Sequence, residues 1–386
     1  MSMKKIGIIM HGATGRICST QHIHNALIPI ISEGGFHINS ETIIPRLLLV
    51  GRNKTQLEKI AKENNIREWT TNLDSALSDK DFSIFFEAAA THQRLETLNK
   101  AITAEKHIYT EKPIAPSVSE GLHLLKRVEN FNLKHGAVED KLYLPGFQKL
   151  TNIINDKTIG EIVCFRLEFG WWVFNGNEVP SQRPSWNYKK ETGGGLFLDM
   201  HTHWRYVIEN ILGKISKVVS TSWIAQPERF DENGHKFSVD VEDTTHTLLE
   251  LENGVSGSIF SSWATRVRRD DLVCLYVDGT KGSAICGLRD CWVQDNYETP
   301  IIKGFDIGHE PNKGKTFKDY ASEWKSVDDH DPFKNPYRVG WEHFLSHVIA
   351  NKPLRSSLKE GIKDIQLAES CIKSSKEKVW INIKKI

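Results

Sequence analysis

Paired cysteines are missing from this sequence, although six cysteines are present. They are scattered without CxxC spacing along a chain of 386 residues. Disulfide-stapled domains are much shorter and richer in cysteine than this. We therefore expect buried, reduced thiols and a core held together by apolar packing.

An excess of charge and a long apolar run are also missing. Fifty basic residues oppose 49 acidic ones, for a formal charge of +1, which favours neither nucleic acid nor an anionic membrane surface. No stretch approaches the roughly 20 apolar residues of a membrane span. Lys4 and Lys5 precede an apolar run that Gly12 interrupts before it reaches signal-peptide length. We expect a cytoplasmic protein that acts on a small molecule.

The length predicts two domains, because single cores stop growing near about 250–300 residues. Residues 1–138 alternate short apolar runs with helix-compatible segments, which is typical of a parallel sheet. The predicted elements are strands at Lys5–Met10, Pro45–Val50, Phe82–Glu87 and His107–Thr110, and helices at Ile17–Ser32, Lys54–Asn64 and up to about Thr103.

Residues 139–386 have a different pattern of apolar runs, typical of a large and mostly antiparallel open sheet. We predict a hairpin turn at Asn253-Gly254 and a return to helix between Tyr337 and about Lys376. The predicted strands are Ile162–Phe169, Val218–Ile224, Thr244–Leu251, Val255–Ser262, Leu272–Val277 and Val379–Ile383. The fold class is α/β, a Rossmann domain followed by a second α/β domain.

The first strand ends in a glycine turn, His11-Gly12-Ala13-Thr14-Gly15. Free N–H groups at a helix N-terminus bind a pyrophosphate, and Gly12 and Gly15 match the second and third glycines of G-x-G-x-x-G. Met10 stands where the first glycine is expected. A purely structural turn has the same pattern, but the position between strand and helix favours a dinucleotide.

The second strand ends at Gly51-Arg52 rather than at the Asp or Glu typical of NAD sites. A guanidinium suits a 2′-phosphate, so NAD or NADP is expected, with NADP favoured. The alternative is that Arg52 is a solvated turn residue.

Two further segments carry side chains suited to proton transfer at a hydroxyl. Glu111-Lys112-Pro113 follows a predicted strand at the sheet edge where such folds bind ligands. After Gly193–Gly195, Asp199 and His203 stand four residues apart and share a face if the segment is helical. A carboxylate beside an imidazole raises its basicity; the alternative is a helix cap and a core histidine.

Together these segments resemble the Gfo/Idh/MocA oxidoreductases, the family of glucose–fructose oxidoreductase and inositol dehydrogenase. The resemblance covers nearly the whole chain, through HGATG, Ala88-Ala89-Ala90, HIYTEKP and GGGLFLDMHTH. It implies an NAD(P)-dependent dehydrogenase that oxidises a secondary ring hydroxyl of a sugar, glycoside or inositol to a ketone, or the reverse. It also implies a homodimer or homotetramer formed through the open sheet.

The resemblance implies roles for particular residues. Lys112, Asp199 and His203 are the catalytic candidates: Lys112 contacts the substrate hydroxyl and nicotinamide ribose, His203 is the acid/base group, and Asp199 binds substrate and orients His203. The cofactor candidates are Gly12, Ala13, Thr14, Gly15, Arg16, Arg52, Asn53, Ala89, His92, Glu111 and Lys112. The family often has Thr-Pro after its fourth strand, where this chain has Ala90-Thr91-His92.

An aromatic segment lies between the first strand of the second domain and the Gly193–Gly195 turn. Aromatic faces suit pyranose rings, and Arg183 suits hydroxyls or an acidic group. Core packing or an oligomer interface is the alternative explanation. With Lys112, Asp199 and His203, the substrate candidates are Trp172, Arg183 and Trp186.

Two other function classes stay open. Asp199, His201 and His203 offer metal ligands for a sugar isomerase or hydrolase, although on a helix His201 points away from the other two and no metal is expected. A non-catalytic NADPH-binding sensor is the other class. Elemental analysis and turnover with a sugar panel separate the three.

Overall fold

A computed structural model describes residues 2–181, 183–265, 271–296 and 324–386. Two sheets organise these residues. The first sheet has the strand order β2-β3-β1-β5-β6-β7, with β4 paired to β3, and its pairs are parallel except β2 with β3. Its strands are β1 (Ser2–His11), β2 (Phe36–Ile38), β3 (Glu41–Val50), β4 (Glu68–Thr70), β5 (Phe82–Glu87), β6 (His107–Thr110) and β7 (His135–Ala137).

Helices cover both faces of this sheet, which explains why its strands are apolar throughout and why two core clusters flank them. A π-helical segment at Ile17–Leu27 follows the glycine turn and runs into an α-helix. The α-helices are α1 (Ile28–Ser32), α2 (Lys54–Glu63), α3 (Leu73–Ser78), α4 (Thr91–Thr103) and α5 (Val118–Asn130).

The second sheet has nine strands in the order β17-β16-β15-β14-β8-β13-β12-β9-β18. Only β8 and β13 pair in parallel there, so the predicted, mostly antiparallel sheet is confirmed. The predicted turn at Asn253-Gly254 joins β12 to β13. β10 (Glu228–Phe230) and β11 (Lys236–Ser238) form a separate antiparallel pair. The nine strands of the second sheet are β8 (Ile162–Gly170), β9 (Ile215–Trp223), β12 (Thr244–Leu251), β13 (Ser256–Ser262), β14 (Val273–Gly279), β15 (Gly282–Cys286), β16 (Cys291–Asp295), β17 (Lys325–Ser326) and β18 (Ile381–Asn382).

One face of this sheet packs under helices, and on the other face, within the described residues, His246 and Leu248 of β12 are exposed. A second π-helical segment, Phe197–His201, runs directly into an α-helix that carries His203. Among the described helices, none is long and apolar enough to cross a membrane. The remaining helices are α6 (Pro145–Asn155), α7 (Thr202–Ile211), α8 (Pro336–Ala350) and α9 (Leu358–Glu377), with 3-10 turns at Asp140–Tyr143, Trp172–Phe174, Ser185–Tyr188 and Lys190–Thr192.

The helical region predicted near the C-terminus is two helices, not one. Helix α8 packs on the π-helical segment of the first sheet, and α9 contacts α5, α7 and β9. Its side chains enter core clusters on both sheets: Ile362 and Ile365 on the first, Leu367 and Cys371 on the second. Helix α9 therefore packs against both sheets.

Candidate active site

Four turns meet at the carboxyl edge of the first sheet. The parallel register aligns His11 with Val50 and Glu87, and Glu87 with Thr110. The residues that follow these positions are Gly12, Gly51, Ala88 and Glu111. The edge therefore assembles the glycine turn, the Arg52 turn and the Glu111-Lys112 turn beside one another, as the sequence predicts.

The glycine turn is shaped for close backbone approach. Gly12 has a φ of +77°, and a Cβ built there would lie 2.6 Å from the Ala89 nitrogen. Gly15 and Arg16 are exposed where the π-helical segment begins, and Thr14 is half-buried. A glycine turn of this shape before the start of a helical segment fits a dinucleotide pyrophosphate. Met10 is fully buried in the core, which accounts for an apolar residue in place of the first glycine.

The turn after β3 carries an exposed cation. Arg52 is exposed and has no ion pair within the described residues. Asn53 is the N-cap of α2, and its side-chain oxygen accepts the Gln56 N–H at 3.0 Å. Asn53 therefore fixes the start of α2. The backbone of Ala13 lies against this strand end, where its N–H donates to the Val50 carbonyl.

Buried charges fix the turn after β5. The Glu87 carboxylate contacts His11 Nδ1 at 2.7 Å and accepts the Ala89 N–H at 2.6 Å. Burial opposes ionisation of Glu87, but the bond to His11 outweighs it and keeps the pKa below its usual value. Arg94 donates to the carbonyls of Ala89 and Pro113, which ties this turn to the next. His92 lies in α4, and its side chain is outside the described residues.

The Glu111 side chain is held by a histidine that the sequence analysis missed. His22 Nε2 lies 2.9 Å from Glu111 Oε1, and the Trp341 indole N–H donates to His22 Nδ1 at 3.0 Å. An indole N–H can only donate, so Nδ1 carries no proton and the Nε2–H donates to Glu111. Despite burial, this bond and the Lys112 and Arg94 cations keep the pKa of Glu111 low.

Lys112 leaves this turn and meets the second domain. Its Nζ lies 2.9 Å from Asp199 Oδ1 and 3.0 Å from the Asp199 carbonyl oxygen. Arg183 contacts the same carboxylate, with its guanidinium nitrogens 2.7 and 3.1 Å from the two oxygens. Burial favours the neutral acid, but Arg183 and Lys112 outweigh it and lower the pKa of Asp199. Three predicted residues therefore converge in one ion cluster.

The segment carrying Asp199 is set by the glycines before it. Gly195 has a φ of +118°, and a Cβ there would lie 2.8 Å from the Glu242 carboxylate. That carboxylate accepts the Phe197 N–H at 3.0 Å, which caps the π-helical segment. The turn therefore requires glycine for both its conformation and its contact with Glu242.

The expected partnership of Asp199 with His203 is not what the contacts show. His203 Nδ1 lies 2.7 Å from the Tyr206 hydroxyl and 4.0 Å from Asp140 Oδ1. Asp199 bonds Lys112 and Arg183 instead, because these cations outcompete a neutral imidazole for a buried carboxylate. Tyr206 and Asp140 are site residues that the sequence analysis missed. Only the spacing of Tyr206, three residues after His203 on a helix, signalled it.

Burial and charge make His203 hard to protonate. Desolvation is the main cause that lowers its pKa well below the usual value, and the nearby cations Lys141, Lys112 and Arg183 lower it further. Both effects favour the neutral imidazole. A neutral imidazole beside an ammonium group suits proton removal from a hydroxyl whose oxygen gains negative charge.

The aromatic segment divides between packing and exposure. Phe174 and Tyr188 are buried, and the Arg183 guanidinium lies 4.5 Å from the centre of the Phe174 ring. Trp172 is 49% exposed and Trp186 is 39% exposed. Phe174 therefore packs against Arg183, and Trp172 and Trp186 are the exposed aromatic side chains of this segment.

The three candidate metal ligands, Asp199, His201 and His203, do not converge on one site. His201 is fully buried, and its Nε2 lies 3.1 Å from the Thr247 hydroxyl on β12. Burial lowers the pKa of His201 to about 3. Asp199 and His203 have different partners, and no group of three or more candidate ligands occurs among the described residues.

Comparison with known proteins identifies both halves of the chain. Residues 35–136 match the family described as "Oxidoreductase family, NAD-binding Rossmann fold". Residues 147–285 match the "GFO/IDH/MocA C-terminal domain". The D-xylose dehydrogenase of Paenarthrobacter nicotinovorans is 38% identical over 386 residues, which is 99% of this chain and 98% of that protein.

Other relatives extend the comparison. The levoglucosan dehydrogenase of Pseudarthrobacter phenanthrenivorans is 28% identical over 241 residues, 58% of this chain and 59% of that protein. A solved structure of a levoglucosan dehydrogenase with NADH and levoglucosan has a TM-score of 0.78 at 18% identity and covers all of both chains. At that identity the structural likeness shows the fold alone, and the fold it shows is the predicted one.

Proposed function

The chain belongs to the Gfo/Idh/MocA family of oxidoreductases, and on that premise we propose that it oxidises a secondary ring hydroxyl of a neutral sugar, glycoside or inositol to a ketone. The ion cluster of Lys112, Asp199 and Arg183 beside His203 carries this proposal. It joins an acid/base group to a fixed cation at the edge where the nucleotide binds. We place the nucleotide in residues 1–138 and the substrate in residues 139–386.

The residues divide the work at the reacting hydroxyl. His203 takes the hydroxyl proton, and Lys112 stabilises the negative charge that develops on the oxygen. Asp199 holds Lys112 through two contacts of 2.9 and 3.0 Å and binds a substrate hydroxyl. When bound, the nicotinamide supplies a hydride acceptor. The turn from Gly12 to Arg16, with Ala89 and Glu111, holds that cofactor.

A neutral carbohydrate fits the charge pattern better than a sugar acid. Arg183, the candidate for binding an acidic group, is already paired with Asp199. Lys112 is paired with the same carboxylate, so a substrate carboxylate would have to compete with Asp199 for both cations. The exposed Trp172 and Trp186 offer faces for a ring. Relatives named for D-xylose and levoglucosan dehydrogenation support a neutral sugar.

We propose NADP(H) as the favoured nucleotide, or use of both. The exposed and unpaired guanidinium of Arg52, with no carboxylate at position 51, supports this. Arg52→Ala should weaken NADP(H) binding by about 1.5–3 kcal/mol, the value of a charge-assisted bond, and weaken NAD(H) binding less. Calorimetric titration with both nucleotides measures the difference. An equal loss for the two shows that Arg52 does not contact a 2′-phosphate.

We also propose a cytoplasmic homodimer or homotetramer that forms through the open face of the nine-stranded sheet. Trp223, His246 and Phe260 stack on that face, and Leu248 beside them is 55% exposed. Such a patch is unusual for a free surface. Analytical ultracentrifugation of the wild type and of Leu248→Glu tests it: a shift toward monomer supports this interface, and an unchanged mass places the contact elsewhere.

Product analysis tests the reaction. The chain is incubated with each nucleotide and a panel of sugars, glycosides, inositols and sugar acids, and the products are identified by NMR. A keto-sugar formed with reduced cofactor supports the proposal. A lactone product would show that the anomeric hydroxyl is the one oxidised, and it would still support a dehydrogenase. Reaction without cofactor reduction would favour the isomerase, and binding without turnover the sensor.

A further inference from the structure

His203 has an unexpected neighbour on the side of its ring that bears Nδ1. The Tyr206 hydroxyl lies 2.7 Å from Nδ1, and Tyr206 is fully buried. Asp140 Oδ1 lies 3.4 Å beyond that hydroxyl. A continuous line of polar atoms therefore joins the acid/base candidate to a second carboxylate, which is not Asp199.

Counting donors sets the direction of each bond in this line. The Lys141 backbone N–H donates to the Tyr206 oxygen at 3.4 Å. Lys141 Nζ lies 3.1 Å from Asp140 Oδ2, and Tyr337 also bonds Asp140, so Asp140 is held as an accepting carboxylate. Tyr206 has one proton to donate, and the carboxylate is its stronger acceptor. The Tyr206 oxygen then accepts a proton from His203 Nδ1.

We propose that Tyr206 and Asp140 are positioning residues that hold His203 with its proton on Nδ1 and accept that proton during turnover. The Nε2 lone pair is thereby left free for the substrate. This inference rests on the proposed dehydrogenase function and deepens it. The third partner of the acid/base histidine, which the sequence assigned to Asp199, is then a tyrosine–carboxylate pair.

The proton balance is as follows during oxidation. The substrate O–H bond breaks and its proton binds His203 Nε2, while hydride leaves the same carbon for NAD(P). The Nδ1 proton passes to the Tyr206 oxygen as the Tyr206 proton passes to Asp140 Oδ1. His203 ends neutral and Asp140 ends protonated. Reduction of a ketone reverses each transfer.

The surroundings of His203 explain why such a line is needed. Burial is the main cause of the low pKa of the ring, and the nearby cations Lys141, Lys112 and Arg183 lower it further. A lasting imidazolium is therefore costly there. Passing the Nδ1 proton through Tyr206 to Asp140 leaves the ring neutral, and Asp140 faces one paired cation, Lys141, rather than two. Asp199 is unsuited to the task because two cations occupy it.

The first test reads the tautomer and needs no substrate. The chain is prepared with ¹⁵N-labelled histidine, and the His203 signals among its 16 histidines are assigned by comparison with His203→Gln. The wild type should show a protonated Nδ1 and a bare Nε2. Tyr206→Phe should lose this preference. A wild-type ring protonated on Nε2 instead would overturn the proposal.

The second test reads turnover. Tyr206→Phe keeps the buried ring and removes only the hydroxyl, so kcat should fall about 10- to 100-fold, part of the usual value of acid–base catalysis, with KM little changed. The acid limb of kcat/KM should move to lower pH, because the imidazolium loses its acceptor. Wild-type kcat and an unmoved pH profile would overturn the proposal.

Two further variants keep the result interpretable. Asp140→Asn preserves shape, removes the terminal charge, and should lower kcat in the same direction even if Tyr206→Phe folds poorly. Tyr143→Phe is the matched control: Tyr143 is half-buried, lies on the same turn as Asp140 and bonds Ser356, so removing its hydroxyl should leave kcat unchanged. If no carbohydrate is oxidised by the wild type, the proposed function fails, while the tautomer test still decides the His203 arrangement.

Discussion

Two buried ion clusters lie on either side of α7, and they have opposite compositions. In the site, one carboxylate, Asp199, lies between the cations Lys112 and Arg183. Below it, one guanidinium, Arg205, contacts the four carboxylates Glu139, Glu209, Glu360 and Asp364 at 2.6–3.5 Å. His203 and Arg205 are two residues apart on the helix that separates the clusters.

The difference assigns each cluster a role. An excess of cations stabilises a negative charge that appears only during reaction, which is what oxidation of a hydroxyl requires. An excess of buried carboxylates binds a proton instead: burial raises the pKa of Asp364 to about 7 and raises that of Glu139. Arg205 joins α7, α9 and the turn that begins at Glu139, so the second cluster fixes the position of Tyr206 and Asp140.

The largest effect on turnover is expected when a substitution breaks the first cluster. Lys112→Ala should lower turnover about 10²- to 10⁴-fold, because the developing charge loses its cation, while Asp199 keeps Arg183 and the chain stays folded. Steady-state kinetics and thermal unfolding measure the two quantities. Lys363→Ala is the matched control, since it removes a lysine paired with Glu360 at 2.7 Å in the second cluster. Near-normal turnover of Lys112→Ala would contradict the catalytic role assigned to Lys112.

Breaking the second cluster should affect stability rather than chemistry. Arg205→Met leaves four carboxylates, two of them buried, without their common partner, so the free energy of unfolding should fall by about 3–5 kcal/mol. Urea unfolding measures this change. Arg183→Met is the comparison in the first cluster, and it should cost less stability because Asp199 keeps Lys112. The contrast between the clusters is wrong if the two substitutions destabilise the chain equally.

A smaller effect is expected in the pH dependence of the free energy of unfolding. The pKa of Asp364 is about 7 in the folded chain and about 3.9 when unfolded. Between these values the folded chain binds more protons, so the free energy of unfolding falls as pH rises, by at most about 1.4 kcal/mol per pH unit. The stabilisation is complete below about pH 4 and lost by about pH 7. Asp364→Asn should flatten this slope in urea unfolding, whereas parallel slopes would show that another group titrates.

Much of this arrangement was predictable from local sequence. Strands such as Phe82–Glu87 and Thr244–Leu251 have the predicted bounds, because apolar runs bounded by turns are local signals. The convergence of Lys112 and Asp199 was accessible through the family resemblance. The other contacts in the two clusters have no local sequence signal.

What escaped prediction depends on contacts between distant segments. Asp140 meets Tyr206 across 66 residues and His22 meets Trp341 across 319. Neither pair has a periodicity or motif to mark it. The contacts of Asp199 differ from the predicted ones for the same reason. Its spacing from His203 fits one helix face, but Arg183, from a separate loop, competes for the carboxylate.

Isotope transfer tests the central claim most directly. The wild type is incubated with NAD(P) and ring-deuterated D-xylose, the substrate named for the relative that is 38% identical, or with another deuterated sugar that the panel shows to react. We expect one deuterium in the reduced nicotinamide for each sugar oxidised, and about 10²- to 10⁴-fold slower transfer in Lys112→Ala. Product formed with no deuterium in the nicotinamide would contradict hydride transfer and the dehydrogenase assignment with it.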